Sequence, residues 1–216
     1  MRVGILGSGL MGGKLGTIFA RAGHEVVFSY ARTRDKLEQL ARAAGAGARA
    51  GTPREAARGA DAVLVAVHWS RLDDVLNQAG ELAETVVITC SLPMNDDDSA
   101  LVVANSSSGA EALARKTPRA AVVSAFGSVP SEVFFGVYES RHREPRPSLV
   151  YCTDHDRART AAAQLIRDAG FDPVDAGPLR IARYIEPFTL LMAQLAYETG
   201  ESPAVAYRVE RFNESS

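Results

Sequence analysis

The sequence predicts an α/β protein: a doubly wound, mostly parallel sheet with a long C-terminal helix. Three observations predict it. Short apolar strands alternate with helix-period segments over short connections, as a parallel sheet covered on both faces requires. The segment Asp61–Val67 is apolar without alternation, so both of its faces are buried. Seven of the 18 glycines fall within the first 23 residues, around the junction of the first strand and the first helix.

Taken in order, Arg2-Val3-Gly4-Ile5-Leu6 reads as a buried strand, and Leu15, Ile18, Phe19 and Ala22 recur at helical spacing behind it. His24–Phe28 is the second strand, and Leu37, Leu40, Ala41 and Ala44 mark one face of the next helix. Thr52-Pro53-Arg54-Glu55 is a helix start in which Thr caps, Pro sits first inside and Glu reaches back. That helix ends near Gly59, before the strand Asp61–Val67. Ser70 is expected to cap a helix carrying Leu72, Val75, Leu76 and Ala79, and Thr85–Thr89 is the following strand. From Cys90 to Ser107 the pattern lapses. Ser108-Gly109-Ala110-Glu111 then opens a helix to about Lys116, and Ala120–Ala125 is a strand. Phe126 to Pro147, with its basic stretch Arg141–Pro147, reads as an excursion over the surface near the ligand. Ser148–Thr153, a helix through Ile166, and Phe171–Val174 form a strand–helix–strand unit. The final helix begins near Pro178, with Ile181, Ile185, Phe188, Leu191, Met192 and Leu195 on its apolar side. One domain, 1–200, followed by a loosely held tail, 201–216, is the expected organisation.

The chemistry concentrates at the first turn. Gly7-Ser8-Gly9-Leu10-Met11-Gly12 lies between a strand and a helix, the context that gives the dinucleotide fingerprint its meaning. Gly7 permits the tight turn, Gly9 lets backbone approach a pyrophosphate, and Gly12 lets helix pack on strand. The helix N-terminus adds N–H groups and partial positive charge. A Rossmann-type nucleotide-binding domain follows.

The second strand indicates which dinucleotide. An NAD site carries Asp or Glu about 20 residues past the glycines to hold the ribose hydroxyls. Here no acid ends the strand. Ser29, followed by Tyr30, stands there instead with Arg32, Arg34 and Lys36, so that a serine hydroxyl and three cations suit a 2′-phosphate. NADP(H) is therefore expected over NAD, with Asp35 only beginning a helix.

Val67, His68 and Trp69 end a central strand above the expected cofactor. His68 either contacts ligand or caps the strand end; Trp69 either stacks on a flat ring or packs. Cys90 follows a buried strand and faces the same region, without neighbours that would make it a nucleophile. Cys152 closes a core strand. Asp96, Asp97 and Asp98 are successive loop residues without further ligands, so no metal is expected. Arg183 and Glu186, three apart, are expected to pair. No GxSxG elbow supports a hydrolytic triad.

Bulk properties narrow the class. A net charge of −2 argues against nucleic acid and anionic membranes as partners. Two cysteines give no disulfide framework and fit a reducing compartment. No apolar run approaches the roughly 18–20 residues of a membrane span, and the first residues already form a strand rather than a leader. A cytoplasmic protein is expected.

Several stretches together resemble one family. RVGILGSGLMGGKLGTIFARAGHEVV, SGAEALARKTP, VVSAFGSV and FDPVDAGPLRIARYIEPFTLLM occur in order. The chain resembles the NADP oxidoreductase family dependent on coenzyme F-420, and also the cytosolic reductase domain of six-transmembrane ferric reductases. The resemblance spans roughly Met1 to Gly200; its most specific piece is Val174-Asp175-Ala176-Gly177-Pro178 with Ala182-Arg183 and Glu186-Pro187. It implies hydride transfer between NADP(H) and a planar redox acceptor, a deazaflavin coenzyme or a flavin. It also implies that Ser8–Gly12 hold the pyrophosphate, that Ser29, Arg32, Arg34 and Lys36 hold the 2′-phosphate, and that the last helix helps build the pocket floor and a homodimer. The chain departs from the family with one extra residue between His24 and Lys36, with His68 where a proline commonly precedes the tryptophan, and with Cys90-Ser91-Leu92-Pro93 after the strand. A ring acceptor needs contact and dryness more than a side-chain acid. The competing expectations are a small imine or keto-acid reductase, which needs a proton donor, and a non-catalytic NADPH sensor.

Overall fold

Five short apolar segments of one direction form the centre of the sheet. β1 (Arg2–Leu6) lies between β2 (Glu25–Ser29) and β4 (Ala62–Val65), parallel to both. β5 (Val86–Thr89) and β6 (Ala121–Ser124) continue outward from β4, and β3 (Ala48–Ala50) covers the outer edge of β2. β7 (Ser148–Thr153) then turns antiparallel to β6, and β8 (Asp172–Asp175) runs parallel to β7. The order is β3-β2-β1-β4-β5-β6-β7-β8. The computed structural model describes residues 1–45 and 47–212.

Helices cover both faces because the central strands carry apolar side chains on both. α1 (Leu10–Arg21), α2 (Arg34–Ala44), α6 (Phe134–Glu139) and α7 (Asp156–Asp168) enclose one core, with Ile5, Ile18, Phe28, Phe126 and Phe171 fully buried. α3 (Pro53–Ala57), α4 (Leu72–Ala79), α5 (Gly109–Lys116) and the start of α8 (Ala182–Tyr197) enclose the other, around Leu6, Val63, Val87 and Val122. The doubly wound α/β fold and the long last helix are thus as the sequence predicts.

Other expectations are corrected. The three-residue β3 escapes sequence reading, being an Ala-Arg-Ala edge strand with little apolar pattern. Ala22 lies past the end of α1 and is exposed. Ser70 does not cap α4; the His68 side chain caps the short turn Trp69–Arg71 before it, accepting from the Ser70 N–H. Phe126–Pro147 is no surface excursion: Phe126 and Phe134 are fully buried, and α6 packs on α1. Its first residues reach the ligand edge of the sheet, but Arg141 stands with Arg21 at the far end of α1. On α8, Leu191 and Leu195 are exposed, whereas Glu186 and Thr189 are buried. Arg183 pairs not with Glu186 but with Glu111, through contacts of 2.8 and 2.6 Å. Within 201–212, Tyr207 is anchored: its carbonyl accepts from the Ser148 N–H at 2.8 Å, and its ring meets Phe188 edge-on. Residues 213–216 lie outside the described residues.

Candidate active site

Parallel strands end on one edge, so the segments following β1, β2, β4, β5 and β6 converge there, and the reversal of strand order between β1 and β4 opens a crevice between them. Two adjoining clefts occupy this edge. One, of about 700 Å³, is lined by the glycine loop, by Tyr30, Ala31, Arg32 and Lys36 after β2, and by Val67, His68 and Arg71 after β4. The other, of about 490 Å³, lies between the post-β4, post-β5 and post-β6 segments and α8. Leu10, Ala66, Val67 and His68 line both, so the two form one groove with His68 at its waist.

The glycines divide by cause. Gly7 takes a positive φ of 109°, and a Cβ there would strike the Ala66 carbonyl. A Cβ on Gly12 would collide with the Gly7 carbonyl oxygen. A Cβ on Gly9 would meet nothing within 4 Å. Gly9 is the N-cap of α1, no side chain caps that helix, and the residue faces the larger cleft. Its lack of a side chain therefore leaves room for something other than protein, beside uncapped N–H groups at the positive end of a helix.

The structure sorts the other sequence candidates. Ser8 is buried, and its hydroxyl donates to the Ser29 carbonyl at 2.8 Å, so its backbone, not its side chain, faces the cleft. Ser29 is fully buried and its hydroxyl donates to the Ile5 carbonyl at 2.7 Å, which removes it from any phosphate. Tyr30 turns out at φ 57° and donates to Asp74 at 2.5 Å; burial and that bond push its phenol up to about 12. Arg32 and Lys36 line the cleft, whereas Arg34 points elsewhere and pairs with Glu38 at 3.0 Å. Arg71 joins them from the short turn Trp69–Arg71 after β4; only folding could reveal it. Trp69 lines neither cleft and packs against the second core.

Leu10 and Met11 reach from the glycine loop into the second cleft, opposite Cys90, Ser91 and Leu92. The Cys90 thiol is directed at the Val65 carbonyl, 3.6 Å away, and burial pushes it up to about 12, so it is a wall, not a nucleophile. At the waist, the His68 ring meets the Ser70 hydroxyl through Nδ1 and the Asp98 carboxylate through Nε2, each at 2.9 Å. Because the Ser70 N–H donates to Nδ1, Nε2 is left to donate to Asp98. Val129, Pro130, Met192 and Ala193 make the remaining wall largely apolar, and Tyr197 closes one side, its hydroxyl on Glu132 at 2.8 Å. Among the described residues no group of three or more His, Cys, Asp or Glu is arranged to hold a metal ion. No described helix is long and apolar enough to cross a membrane.

Known proteins share this architecture. A candidate F-420-dependent NADP-reductase from Arthrobacter sp. FB24 superposes with a TM-score of 0.84 at 22% identity, covering 98% of this chain and 100% of that one. A reductive aminase from Aspergillus terreus, solved with NADPH and ethyl-5-oxohexanoate, superposes at 0.66 and 16% identity over 92% of this chain and 63% of its own. At these identities the likeness is one of fold. In sequence, the chain is 27% identical over 192 residues to the metalloreductase STEAP3 of Rattus norvegicus; the match covers 88% of this chain and 36% of that protein. Over residues 2–93, from β1 through the segment after β5, the sequence matches the family described as NADP oxidoreductase coenzyme F-420-dependent, which is the resemblance its motifs carry.

Proposed function

We propose that this chain is an NADP(H)-dependent oxidoreductase that passes a hydride between the nicotinamide and a planar ring acceptor, a deazaflavin or a flavin. The observation that carries the reading is the groove itself. A glycine cradle with an empty Cβ direction continues on one side into Arg32, Lys36 and Arg71 and on the other into an apolar pocket. The residues present fit a dinucleotide bearing a 2′-phosphate. Backbone N–H groups of residues 9–12 receive the pyrophosphate, and the two arginines and the lysine receive the 2′-phosphate. Leu10, Ala66 and Val67 then wall the region where the two clefts meet, and Cys90 lies beyond them in the acceptor cleft.

The nicotinamide supplies a hydride when bound. The chain's own residues hold two flat rings in contact and exclude water, which suffices for transfer between ring carbons or to a ring nitrogen. A keto-acid or imine reductase would in addition need a proton donor aimed at the substrate. His68 stands at the right place, but both ring nitrogens are engaged by Ser70 and Asp98. The pocket also opens to solvent beside Tyr197, which is 55% exposed, and an accessible pocket fits turnover better than mere sensing.

NADPH oxidation, followed optically with coenzyme F-420, FMN, FAD and riboflavin offered separately, tests the proposal, with NADH as control. Turnover with any of these rings and a clear preference for NADPH is the expected result. Tight NADPH binding without oxidation by any of them would overturn it in favour of a sensor.

A further inference from the structure

We propose that the acceptor pocket selects a ring whose entering portion is uncharged and disfavours one bearing a phosphate or carboxylate, with Asp98 as the selecting residue; this deepens, and rests on, the hydride-transfer reading above. The two halves of the groove differ sharply in charge. Arg32, Lys36 and Arg71 line the nucleotide half, but neither Lys nor Arg is among the described residues lining the acceptor half. Lys14 touches the pocket wall through Ser131, and its ammonium is spent on the Ser131 carbonyl at 3.0 Å and hydroxyl at 3.1 Å, with the Glu132 carboxylate 3.3 Å from that same hydroxyl. A guanidinium fork or an ammonium is the side-chain cation that pairs with a carboxylate or phosphate, and the pocket offers neither. A keto acid therefore has no Lys or Arg partner there.

Asp98 turns this lack into active selection. It lines the pocket, its side chain is 66% exposed to the solvent from which an acceptor arrives, and His68 Nε2 holds it at 2.9 Å. A carboxylate fixed at the mouth repels an incoming phosphate dianion at every approach that brings the ring inside. At a separation of about 6 Å and a dielectric near that of water, the repulsion corresponds to about a tenfold loss of affinity. For a flavin or a deazaflavin the heterocycle enters while an anionic tail is left at the mouth, within reach of the Asp98 charge.

Riboflavin and FMN share a ring and differ by one phosphate, which makes them the matched probes. Their binding to the protein saturated with NADP⁺ is measured by quenching of ring fluorescence, and their NADPH-dependent reduction is measured alongside. Riboflavin is expected to bind about tenfold more tightly, with the ratio narrowing to about threefold at high salt, because an exposed charge is screened. Asp98→Asn keeps an oxygen for His68 while removing the charge, and it separates Asp98 from the field of the bound dinucleotide. In that variant the ratio is expected to fall to about twofold, through tighter FMN binding. Should the variant fail to fold, the same salt titration repeated without NADP⁺ removes the field of the dinucleotide and decides in its place. FMN binding as tightly as riboflavin would overturn the inference while its turnover left the hydride-transfer reading intact. Binding and reduction of neither ring would overturn both.

Discussion

Gly9 and Gly12 are three residues apart, yet the physical demand on each is different. Gly12 is required by the protein: its Cβ would drive into the Gly7 carbonyl, a collision with backbone that no rotamer relieves. Gly9 is required by nothing in the protein within 4 Å. Gly9→Val is accordingly expected to leave the melting temperature within a few degrees of the original while weakening NADPH binding by at least about tenfold, because the new side chain fills the pyrophosphate cradle. Gly12→Val is expected to cost about 3 kcal/mol or more of stability. Thermal melts and NADPH fluorescence titrations on the two variants check both halves, and a Gly9→Val protein that still binds NADPH normally would remove the pyrophosphate from this loop. The same scale shows what the sequence could reveal. The glycine loop was legible because its spacing encodes backbone geometry. The proposed 2′-phosphate residues were legible only in part, because a strand end alternates its faces: Ser29 points inward to the Ile5 carbonyl, Tyr30 points out, and Arg71 arrives from the turn after β4.

Among the helices, α8 illustrates how tertiary contacts override periodicity. Apolar spacing alone would bury Leu191 and Leu195, but both are exposed, and Glu186 is 4% exposed instead. The reason lies in α5, whose first N–H groups, on Gly109 and Ala110, donate to the Glu186 carboxylate at 2.9 and 3.0 Å. A capping acid from another helix is invisible to a local reading, as is the Arg183–Glu111 pair beside it. Burial pushes Glu186 up to about 7, against the pull of the two N–H bonds and helped by the nearby Glu111 charge. The sign follows directly. A carboxyl whose folded value lies above its unfolded one contributes stability that is complete below the unfolded value and is lost as pH rises through the folded value. Between about pH 4.5 and 7 this group should therefore withdraw up to about 3 kcal/mol. Denaturant midpoints measured from pH 5 to 8 are expected to decline, and Glu186→Gln, which keeps one acceptor and cannot ionise, is expected to flatten that decline. An unchanged slope in the variant would assign the pH dependence elsewhere. The remaining elements that sequence reading misjudged share a feature: β3 is an edge strand of three residues, and α6 is a short helix whose burial depends on α1 rather than on its own pattern.

At the scale of the whole molecule, the groove crosses the ligand edge from the far side of β2 to the inner side of α8, so one dinucleotide would touch the segments after β1, β2, β4 and β5 at once. The strands beneath are held by β-ladders and by two cores, whereas the residues above them are loop and helix termini. Binding should thus appear as stabilisation of the entire fold rather than of one loop. A ligand at a hundred times its dissociation constant adds about 2.7 kcal/mol, and in a chain of this size each kcal/mol raises the melting temperature by about 2–4 °C. NADPH at that excess is expected to raise the midpoint by about 5–10 °C. NADH at equal concentration should give a markedly smaller rise, since on the proposed reading the 2′-phosphate would make charge-assisted bonds to Arg32, Lys36 and Arg71 worth about 1.5–3 kcal/mol each when well formed. Replacing those three with glutamine should bring the two nucleotides to nearly the same shift, by lowering the NADPH response and not by raising that of NADH. Equal shifts in the unaltered protein would mean that the basic rim does not read the 2′-phosphate. A lack of shift with either nucleotide would withdraw the dinucleotide from the groove altogether.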